Sequence, residues 1–182
     1  MQKRILTNNI FIVEDFWTSE ECDKFIAESE VIGYEPATIE TDRGQKVVEA
    51  VRNNNRVLYK NHELAETLWL QLKPVAPQRI GNSNAVGLNE LFRFYKYQPG
   101  QEFKRHRDQS YIRSNGEASY YTFMIYLNQD YEGGETTFGD LSIQPKQGTA
   151  LVFLHNLEHE GTPVKSGIKY VLRTDIMFRL EE

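Results

Sequence analysis

The spacing of apolar positions in the first half of the chain predicts two helices. Residues 18–21 have the Thr-x-x-Glu pattern of a capping box, and apolar residues follow with helical spacing, so a helix is expected over residues 18–30. Its apolar positions are Cys22, Phe25 and Ile26. Three leucines spaced four residues apart predict a second helix over about residues 61–73, and Pro74 prevents a much longer one.

From about residue 88 onward, short apolar and aromatic runs separated by turn residues replace the helical spacing. The predicted strands cover residues 91–97, 120–127, 142–144, 149–155 and 169–178. Upstream, residues 34–39 and 45–51 flank a Thr-Asp-Arg-Gly sequence that suits a turn, which predicts a hairpin. Strands of this length and spacing favour a sandwich or jelly roll over a parallel α/β sheet. The predicted fold class is mainly β with N-terminal helices (α+β).

The chain is expected to form one domain over residues 1–182, because a chain of this length with 40% apolar residues can bury a sizeable core. Residues 1–88 are predicted to form a helical and hairpin support, and residues 89–182 a jelly-roll catalytic core. Residues 121–127 are apolar on both faces, as in a strand covered by barrel contents on one side and by the N-terminal helices on the other.

Composition limits the kinds of partner that are expected for the protein and the cellular compartment in which it is expected. A net charge of -5 argues against a protein whose main affinity is for nucleic acid, since such binding depends on clustered Lys and Arg. Cys22 has no second cysteine to pair with, and residues 1–9 lack the apolar run of a secretory signal, so a reducing, cytoplasmic location is expected. No run approaches the length of a membrane span, so a soluble protein with no membrane contact is expected.

A histidine and an aspartate two residues apart suggest a metal site. In an extended strand, His106 and Asp108 would project from the same face and could reach one ion. This pattern alone is a weak signal, but two imidazoles and a carboxylate are the ligands that non-haem Fe(II) oxygenases use, with other positions left open. Both His155 and His159 follow a predicted strand, so the third ligand stays open at this point. His62 lies in the second predicted helix and is placed outside the site.

Two cations in the last predicted strand are further candidates for the site. Lys169 and Arg173 are an even number of positions apart in the strand, so both side chains could point into a barrel. A buried cation is unfavourable there unless an anion binds to it. A dicarboxylate co-substrate would supply that anion. The alternative is that both side chains reach solvent or pair with Asp175 and Glu160.

Five motifs occur in a fixed order along the second half of the chain. They are residues 97–108 (YQPGQEFKRHRD), 125–128 (IYLN), 133–138 (GGETTF), 145–148 (PKQG) and 159–169 (HEGTPVKSGIK). Together they resemble the prolyl 4-hydroxylase branch of the Fe(II)/2-oxoglutarate dioxygenases. The resemblance covers about residues 90–178, and residues 11–26 look like the opening of the same branch.

The resemblance implies a double-stranded β-helix, or jelly roll, that binds Fe(II), 2-oxoglutarate and O2, with ascorbate as a candidate reductant. It makes His106, Asp108 and His159 the iron ligands and leaves His155 out of that set. It also implies hydroxylation rather than halogenation, because halogenases of this family have a small residue where this chain has Asp108.

The resemblance also assigns residues to the co-substrate. Lys169 would bind the distal carboxylate of 2-oxoglutarate, Tyr126 would help to hold that carboxylate, and Tyr97 would line the pocket. Arg173 stands where many relatives have a smaller residue, which leaves open whether Lys169 or Arg173 is the main anchor. Lys169 is favoured, with Arg173 assisting.

The expected function is hydroxylation of a peptidyl proline or of another peptide or amino-acid side chain, with succinate and CO2 as co-products. The alternatives are a hydroxylase of a free amino acid or small metabolite, or a non-catalytic sensor of metal or 2-oxoglutarate. Residues 52–56 and 109–119 are predicted to border the substrate entrance. Lys104 is expected at its mouth, whereas Arg107 is expected to face away.

Overall fold

The computed structural model describes residues 1–41 and 44–181, without the side chains of residues 40 and 41. Within this part of the chain, two helices lie among eighteen strands. The helices are α1 (Ser19–Ile32) and α2 (His62–Leu72). The strands are β1 (Gln2–Thr7), β2 (Ile10–Glu14), β3 (Glu35–Pro36), β4 (Ile39–Thr41), β5 (Gly44–Lys46), β6 (Asn55–Lys60), β7 (Arg79–Ile80), β8 (Ser83–Leu88), β9 (Leu91–Tyr97), β10 (Phe103–His106), β11 (Ala118–Tyr126), β12 (Tyr131–Gly133), β13 (Thr136–Phe138), β14 (Leu141–Ile143), β15 (Ala150–Leu154), β16 (His159–Gly161), β17 (Val164–Gly167) and β18 (Lys169–Leu180).

A large antiparallel sheet takes strands from both halves of the chain. Its order is β1-β2-β15-β11-β18-β9-β6-β3, and β8 pairs with β18 and with β7. The five C-terminal strands predicted from the sequence correspond to β9, β11, β14, β15 and β18. Strands β1, β2 and β6 were not predicted. They join the N-terminal residues to the same sheet as the C-terminal strands, so the protein is mostly β throughout.

A smaller sheet, in the order β10-β16-β13-β14, faces one side of the large sheet. The two sheets share one apolar cluster, in which Tyr95, Leu151 and Val171 of the large sheet pack with Ile143 of β14. Alternate residues of the same large-sheet strands, such as Phe94, Val152 and Leu172, join α1 and α2 in a second cluster. Side chains alternate between the faces of a strand, so the large sheet forms the middle layer between the helices and the smaller sheet.

Both helices lie close to their predicted positions. Thr18 caps α1 in a capping box: the Glu21 N–H donates to Thr18 Oγ1 at 3.2 Å, and the Thr18 N–H donates to Glu21 Oε2 at 2.8 Å. Asn61 caps α2 by accepting from the Leu64 N–H at 2.9 Å. Across the described residues, neither helix has the length and apolarity needed to cross a membrane.

The predicted hairpin is present in a shorter form. Strands β4 and β5 pair antiparallel, with Ile39 opposite Lys46. The central turn residues, Asp42 and Arg43, lie outside the described part of the chain.

The loop before β11 is held by an ionic cluster around the buried Glu117 carboxylate. The Glu117 carboxylate accepts from Arg113 Nη1 at 2.7 Å and from Arg179 Nε at 3.0 Å, and Arg113 also binds Glu90 and the Leu88 carbonyl. Burial works to raise the pKa of Glu117, but the hydrogen bonds from Arg113 and Arg179 outweigh it and lower that pKa.

Replacing Glu117 with glutamine is expected to reduce the free energy of unfolding by about 1 to 3 kcal/mol at pH 7, as for lost hydrogen bonds to a charged group. Because the folded-state pKa is lowered, this stabilisation is present above the unfolded pKa and disappears as pH falls through the folded value. Urea unfolding at pH 7 and at about pH 3.5 measures the difference. Glu28→Gln, at an exposed ion pair with Lys24, is the control. Equal losses in the two variants would contradict a stabilising role for the cluster.

Candidate metal centre

Two histidines of the smaller sheet face each other across paired strands. His106 is the last residue of β10, and it lies opposite His159, the first residue of β16. Asp108 lies beyond the end of β10, so the expected strand does not extend to it. Its N–H donates instead to the His155 carbonyl at 3.1 Å, because the chain there has turned toward the end of β15.

The side chains of His106, Asp108 and His159 converge on one point. Their potential ligand atoms all lie within 4.8 Å of one another. His106 Nε2 is 3.7 Å from Asp108 Oδ1, and His159 Nε2 is 3.8 Å from Asp108 Oδ2. These separations leave room for an ion between the three groups, whereas they are too long for direct hydrogen bonds.

Backbone contacts orient both imidazoles toward that point. His106 Nδ1 lies 2.7 Å from the Lys104 carbonyl, and His159 Nδ1 lies 3.0 Å from the Leu157 carbonyl. A carbonyl can only accept a hydrogen bond, so each Nδ1 carries the proton and each Nε2 presents a lone pair. The two rings therefore have the tautomer that a metal ligand requires.

Charge and burial keep Asp108 and His159 in metal-binding protonation states. Burial works to raise the pKa of Asp108, but the nearby Arg173 guanidinium outweighs it, and that pKa lies well below its ordinary value. Burial lowers the pKa of His159 to about 4, although Asp108 opposes this. A carboxylate with two imidazoles fits a divalent metal such as iron, with positions left open for other ligands.

An inner cavity of about 50 Å³ opens beside this donor set. Six of the seven site residues predicted from the sequence line it. They are Tyr97, His106, Asp108, His159, Lys169 and Arg173. Tyr126 does not line the cavity; its hydroxyl donates to Thr136 Oγ1 at 2.7 Å, and Thr136 does line it.

Lys169 is a buried cation at the cavity wall. It is 3% exposed, and its Nζ donates to the Gly134 carbonyl at 2.6 Å. Nζ lies 5.2 Å from the ring centroid of Tyr97 and 5.6 Å from that of Tyr126. Burial lowers the pKa of Lys169 to about 8, and no carboxylate among the described side chains pairs with it within 4 Å. A buried ammonium without a carboxylate is an unfavourable arrangement that an anionic ligand would relieve.

Arg173 is balanced within the protein, unlike Lys169. Its Nη2 lies 3.1 Å from Asp108 Oδ2 and 3.1 Å from Asp175 Oδ1, and Arg93 binds the other oxygen of Asp175 at 3.2 Å. Of the two carboxylates suggested by the sequence, Asp175 therefore pairs with Arg173. Glu160 instead accepts a hydrogen bond from Thr137. Arg173 holds Asp108 Oδ2 in place.

The structure adds residues that the sequence analysis did not assign to the site. Thr122 Oγ1 donates to Asp108 Oδ2 at 2.5 Å, next to Arg173. Arg93 lies opposite Arg173 in the pairing of β9 with β18. The alternation of side chains along β9 could therefore have placed Arg93 on the same face as Tyr97. His155 is buried with Nε2 3.5 Å from Asp175 Oδ1, outside the three-residue group.

An outer cleft of about 410 Å³ adjoins the inner cavity. Arg52, Arg56 and residues 109–111 line it, which are parts of the two segments predicted to border the substrate entrance. The expected orientations of the neighbouring cations were wrong. Arg107 lines the cleft and Lys104 does not, because a register shift between Phe103 and His106 interrupts the alternation of faces along β10, and the strand ends at His106.

Comparison with known proteins shows which enzymes the chain is similar to. Residues 92–174, just under half of the chain, match the family model of the 2OG-Fe(II) oxygenase superfamily, and this segment contains all seven predicted site residues. This segment is therefore similar to 2OG-Fe(II) oxygenases, and the relatives that the chain matches include prolyl 4-hydroxylases. Enzymes of this class use Fe(II), 2-oxoglutarate and O2.

Individual relatives agree with this class. The probable prolyl 4-hydroxylase 7 of Arabidopsis thaliana is 24% identical over 196 residues, which cover 90% of this chain and 61% of the relative. The chain thus spans about 60% of the length of the curated relatives it matches.

Two solved structures share the fold. The viral collagen prolyl hydroxylase of Paramecium Bursaria Chlorella virus-1, in its 2OG complex, has a TM-score of 0.65 at 22% identity, covering 93% of this chain and 96% of that one. The Trichoplax adhaerens prolyl hydroxylase, in complex with a hypoxia inducible factor peptide fragment, has a TM-score of 0.72 at 19% identity, covering 93% and 84%.

Proposed function

We propose that the protein is an Fe(II)/2-oxoglutarate-dependent dioxygenase that hydroxylates a peptidyl proline or another peptide or amino-acid side chain. Succinate and CO2 would be the co-products. The observation that carries the proposal is the convergence of two imidazoles and one carboxylate beside a cavity lined by a buried lysine that has no carboxylate within 4 Å among the described side chains.

In this proposal His106, Asp108 and His159 bind the iron. The distances between their donor atoms and the Nδ1 contacts of both rings support the assignment. Bound iron with 2-oxoglutarate and O2 would supply the oxidising power that hydroxylates a substrate C–H bond. The chain itself fixes the ligands: Arg173 and Thr122 hold one carboxylate oxygen of Asp108.

Lys169 is the proposed anchor for the distal carboxylate of 2-oxoglutarate, with Tyr97 beside it in the cavity wall. The lack of a carboxylate partner for Lys169 within the described side chains supports this choice over Arg173, which two aspartates already balance. Tyr126 is proposed to act through its hydrogen bond to Thr136. Arg173 would then assist by positioning Asp108.

We also propose that residues 1–182 form a single domain whose two facing sheets are a jelly roll, or double-stranded β-helix. The pairing of β2 with β15 and of β6 with β9 supports this, since N-terminal and C-terminal residues share one sheet. The cytoplasmic location stays a prediction from the cysteine content.

A peptide substrate is supported by the open outer cleft and by the relatives, which include prolyl hydroxylases and a structure with a bound peptide. A free amino acid or small metabolite is the second candidate, because arginines in the cleft would suit its carboxylate.

Succinate release from protein supplied with Fe(II), ascorbate and 2-oxoglutarate tests the proposal. A proline-containing peptide is expected to stimulate release and to gain 16 Da, the mass of one oxygen atom. The same peptide with alanine in place of proline is the control and should remain unmodified. Stimulation by free amino acids alone would favour the second candidate, and no succinate under any condition would favour a sensor.

A further inference from the structure

The outer cleft carries more positive charge than the described carboxylates beside it can balance. Five arginines and two aspartates line it. Arg93 and Arg173 share Asp175, and Arg173 also pairs with Asp108. The other three have no carboxylate partner within 4 Å among the side chains that the structure describes. These are Arg52, Arg56 and Arg107. This local excess occurs in a chain whose net charge is -5.

Arg52 is buried and incompletely hydrogen-bonded. It is 4% exposed, and its guanidinium carbon lies 4.3 Å from the ring centroid of Tyr95 and 4.4 Å from that of Phe103. Its Nε donates to Asn54 Oδ1 at 2.6 Å, whereas its Nη2 is buried without a partner. Buried polar groups nearly always have a partner, and a guanidinium held between two rings presents a fixed edge that suits a planar carboxylate.

Arg56 adds a second donor to the same region. It is half-buried, and its Nη2 donates to Thr38 Oγ1 at 2.8 Å. Burial lowers the pKa of Arg56, and the positive charges of Arg52 and Arg93 lower it further. Like charges that line one cleft repel one another, and an anion bound in the cleft would relieve the repulsion.

The positive region adjoins the proposed metal centre. Tyr95, Phe103, His106, Asp108 and Arg173 line both the inner cavity and the outer cleft. A molecule that binds in the outer cleft therefore extends directly toward the metal ligands.

We propose that Arg52 and Arg56 bind a carboxylate of the substrate, so that the protein selects acidic substrates. The carboxylate is either an aspartyl or glutamyl side chain near the hydroxylated residue of a peptide, or the α-carboxylate of a free or C-terminal residue. The inference rests on the proposed hydroxylase function in one respect: that function determines which bond of the bound substrate reacts.

Matched probe pairs test the inference and separate the two sources. The first pair is acetyl-Asp-Pro-Gly-amide and acetyl-Asn-Pro-Gly-amide, and the second is N-acetylproline and N-acetylprolinamide. The measurement is the ratio of kcat/KM within each pair, from the mass of the hydroxylated product. At least one pair is expected to show a tenfold or larger preference for its carboxylate member, and the preferred pair identifies the source.

Two variants test whether the cleft arginines cause the preference for the carboxylate probe. Arg52→Met and, separately, Arg56→Met are expected to bring the ratio close to one. The ratio compares two probes on one preparation, so it does not depend on the folded fraction of a variant. Arg4→Met, which removes an exposed arginine paired with Glu14 on β1, should leave the ratio unchanged. A preference that survives both cleft variants, or that Arg4→Met also removes, would overturn the inference.

Calorimetry distinguishes failure of this inference from failure of the hydroxylase proposal. Each probe is titrated into the protein loaded with Fe(II) and 2-oxoglutarate under anaerobic conditions. Tighter binding of the carboxylate member, lost in Arg52→Met, supports the acidic-substrate site even if no probe is hydroxylated. Equal binding of both members of both pairs by the unmodified protein overturns the site even if both are hydroxylated.

Discussion

Asp108→Ala is expected to reduce retained Fe(II) and 2-oxoglutarate-dependent succinate formation by more than a hundredfold. The substitution removes the only carboxylate of the three proposed ligands and leaves two imidazoles. Loss of a group that only orients a ligand typically costs ten- to a hundredfold in metal affinity, so loss of a ligand itself should cost more. Equilibrium dialysis measures the iron and mass spectrometry measures the succinate.

Two further variants sharpen this test. Asp108→Ala also removes a partner of the buried Arg173, so part of its effect could be a loss of stability. Asp108→Asn retains the shape and removes the charge, and is expected to lose iron as well. Asp130→Ala, at an exposed aspartate, should behave as the unmodified protein. Normal iron retention by folded Asp108→Ala would reject Asp108 as a ligand.

Lys169→Met is expected to raise the KM for 2-oxoglutarate by roughly ten- to a hundredfold. A hydrogen bond between charged groups contributes about 1.5 to 3 kcal/mol, and about 1.4 kcal/mol corresponds to a factor of ten. Methionine retains an unbranched apolar stem, so the packing against Tyr97 should change little. The same variant should unfold at higher urea concentration in the absence of ligand, because it removes a buried ammonium that has no carboxylate partner among the described side chains.

These opposite effects on co-substrate use and stability are what a co-substrate anchor predicts, whereas a purely structural lysine would not show both. Lys165→Met, at an exposed lysine of β17, is the matched control and should change neither quantity. An unchanged KM in Lys169→Met, together with a raised KM in Arg173→Met, would transfer the anchoring role to Arg173.

The elements predicted best from the sequence are those with local signals. The Thr18 capping box and Pro74 delimit the helices, and turn residues delimit β9, β11 and β15. Strand β1 lacked such a signal because five of its six residues are exposed, so no alternating pattern marks it. Its place at the edge of the large sheet depends on pairing with β2, which is a tertiary contact.

For the site, too, some features follow from the sequence alone and others depend on tertiary contacts. Residue types and motif order were enough to select His106, Asp108 and His159, and the structure brings their donor atoms together. The extended strand expected through Asp108 was wrong, because the backbone at this residue bonds to His155 at the end of β15. Nor could parity distinguish Lys169 from Arg173, since the two residues share it and differ only in their neighbours.

The sequence by itself determined both helices and five of the C-terminal strands, the motifs that resemble the oxygenase family and the chemical groups available for a metal and a dicarboxylate. Caps, turn residues and motifs act over a few neighbouring residues, so they can be read along the chain. Only the tertiary structure decided which cations are balanced. Arg173 lies between Asp108 and Asp175, Lys169 is buried without a described carboxylate partner, and Arg52 lies between Tyr95 and Phe103. These charge relations depend on strand register between segments distant in sequence, and no local pattern encodes that register.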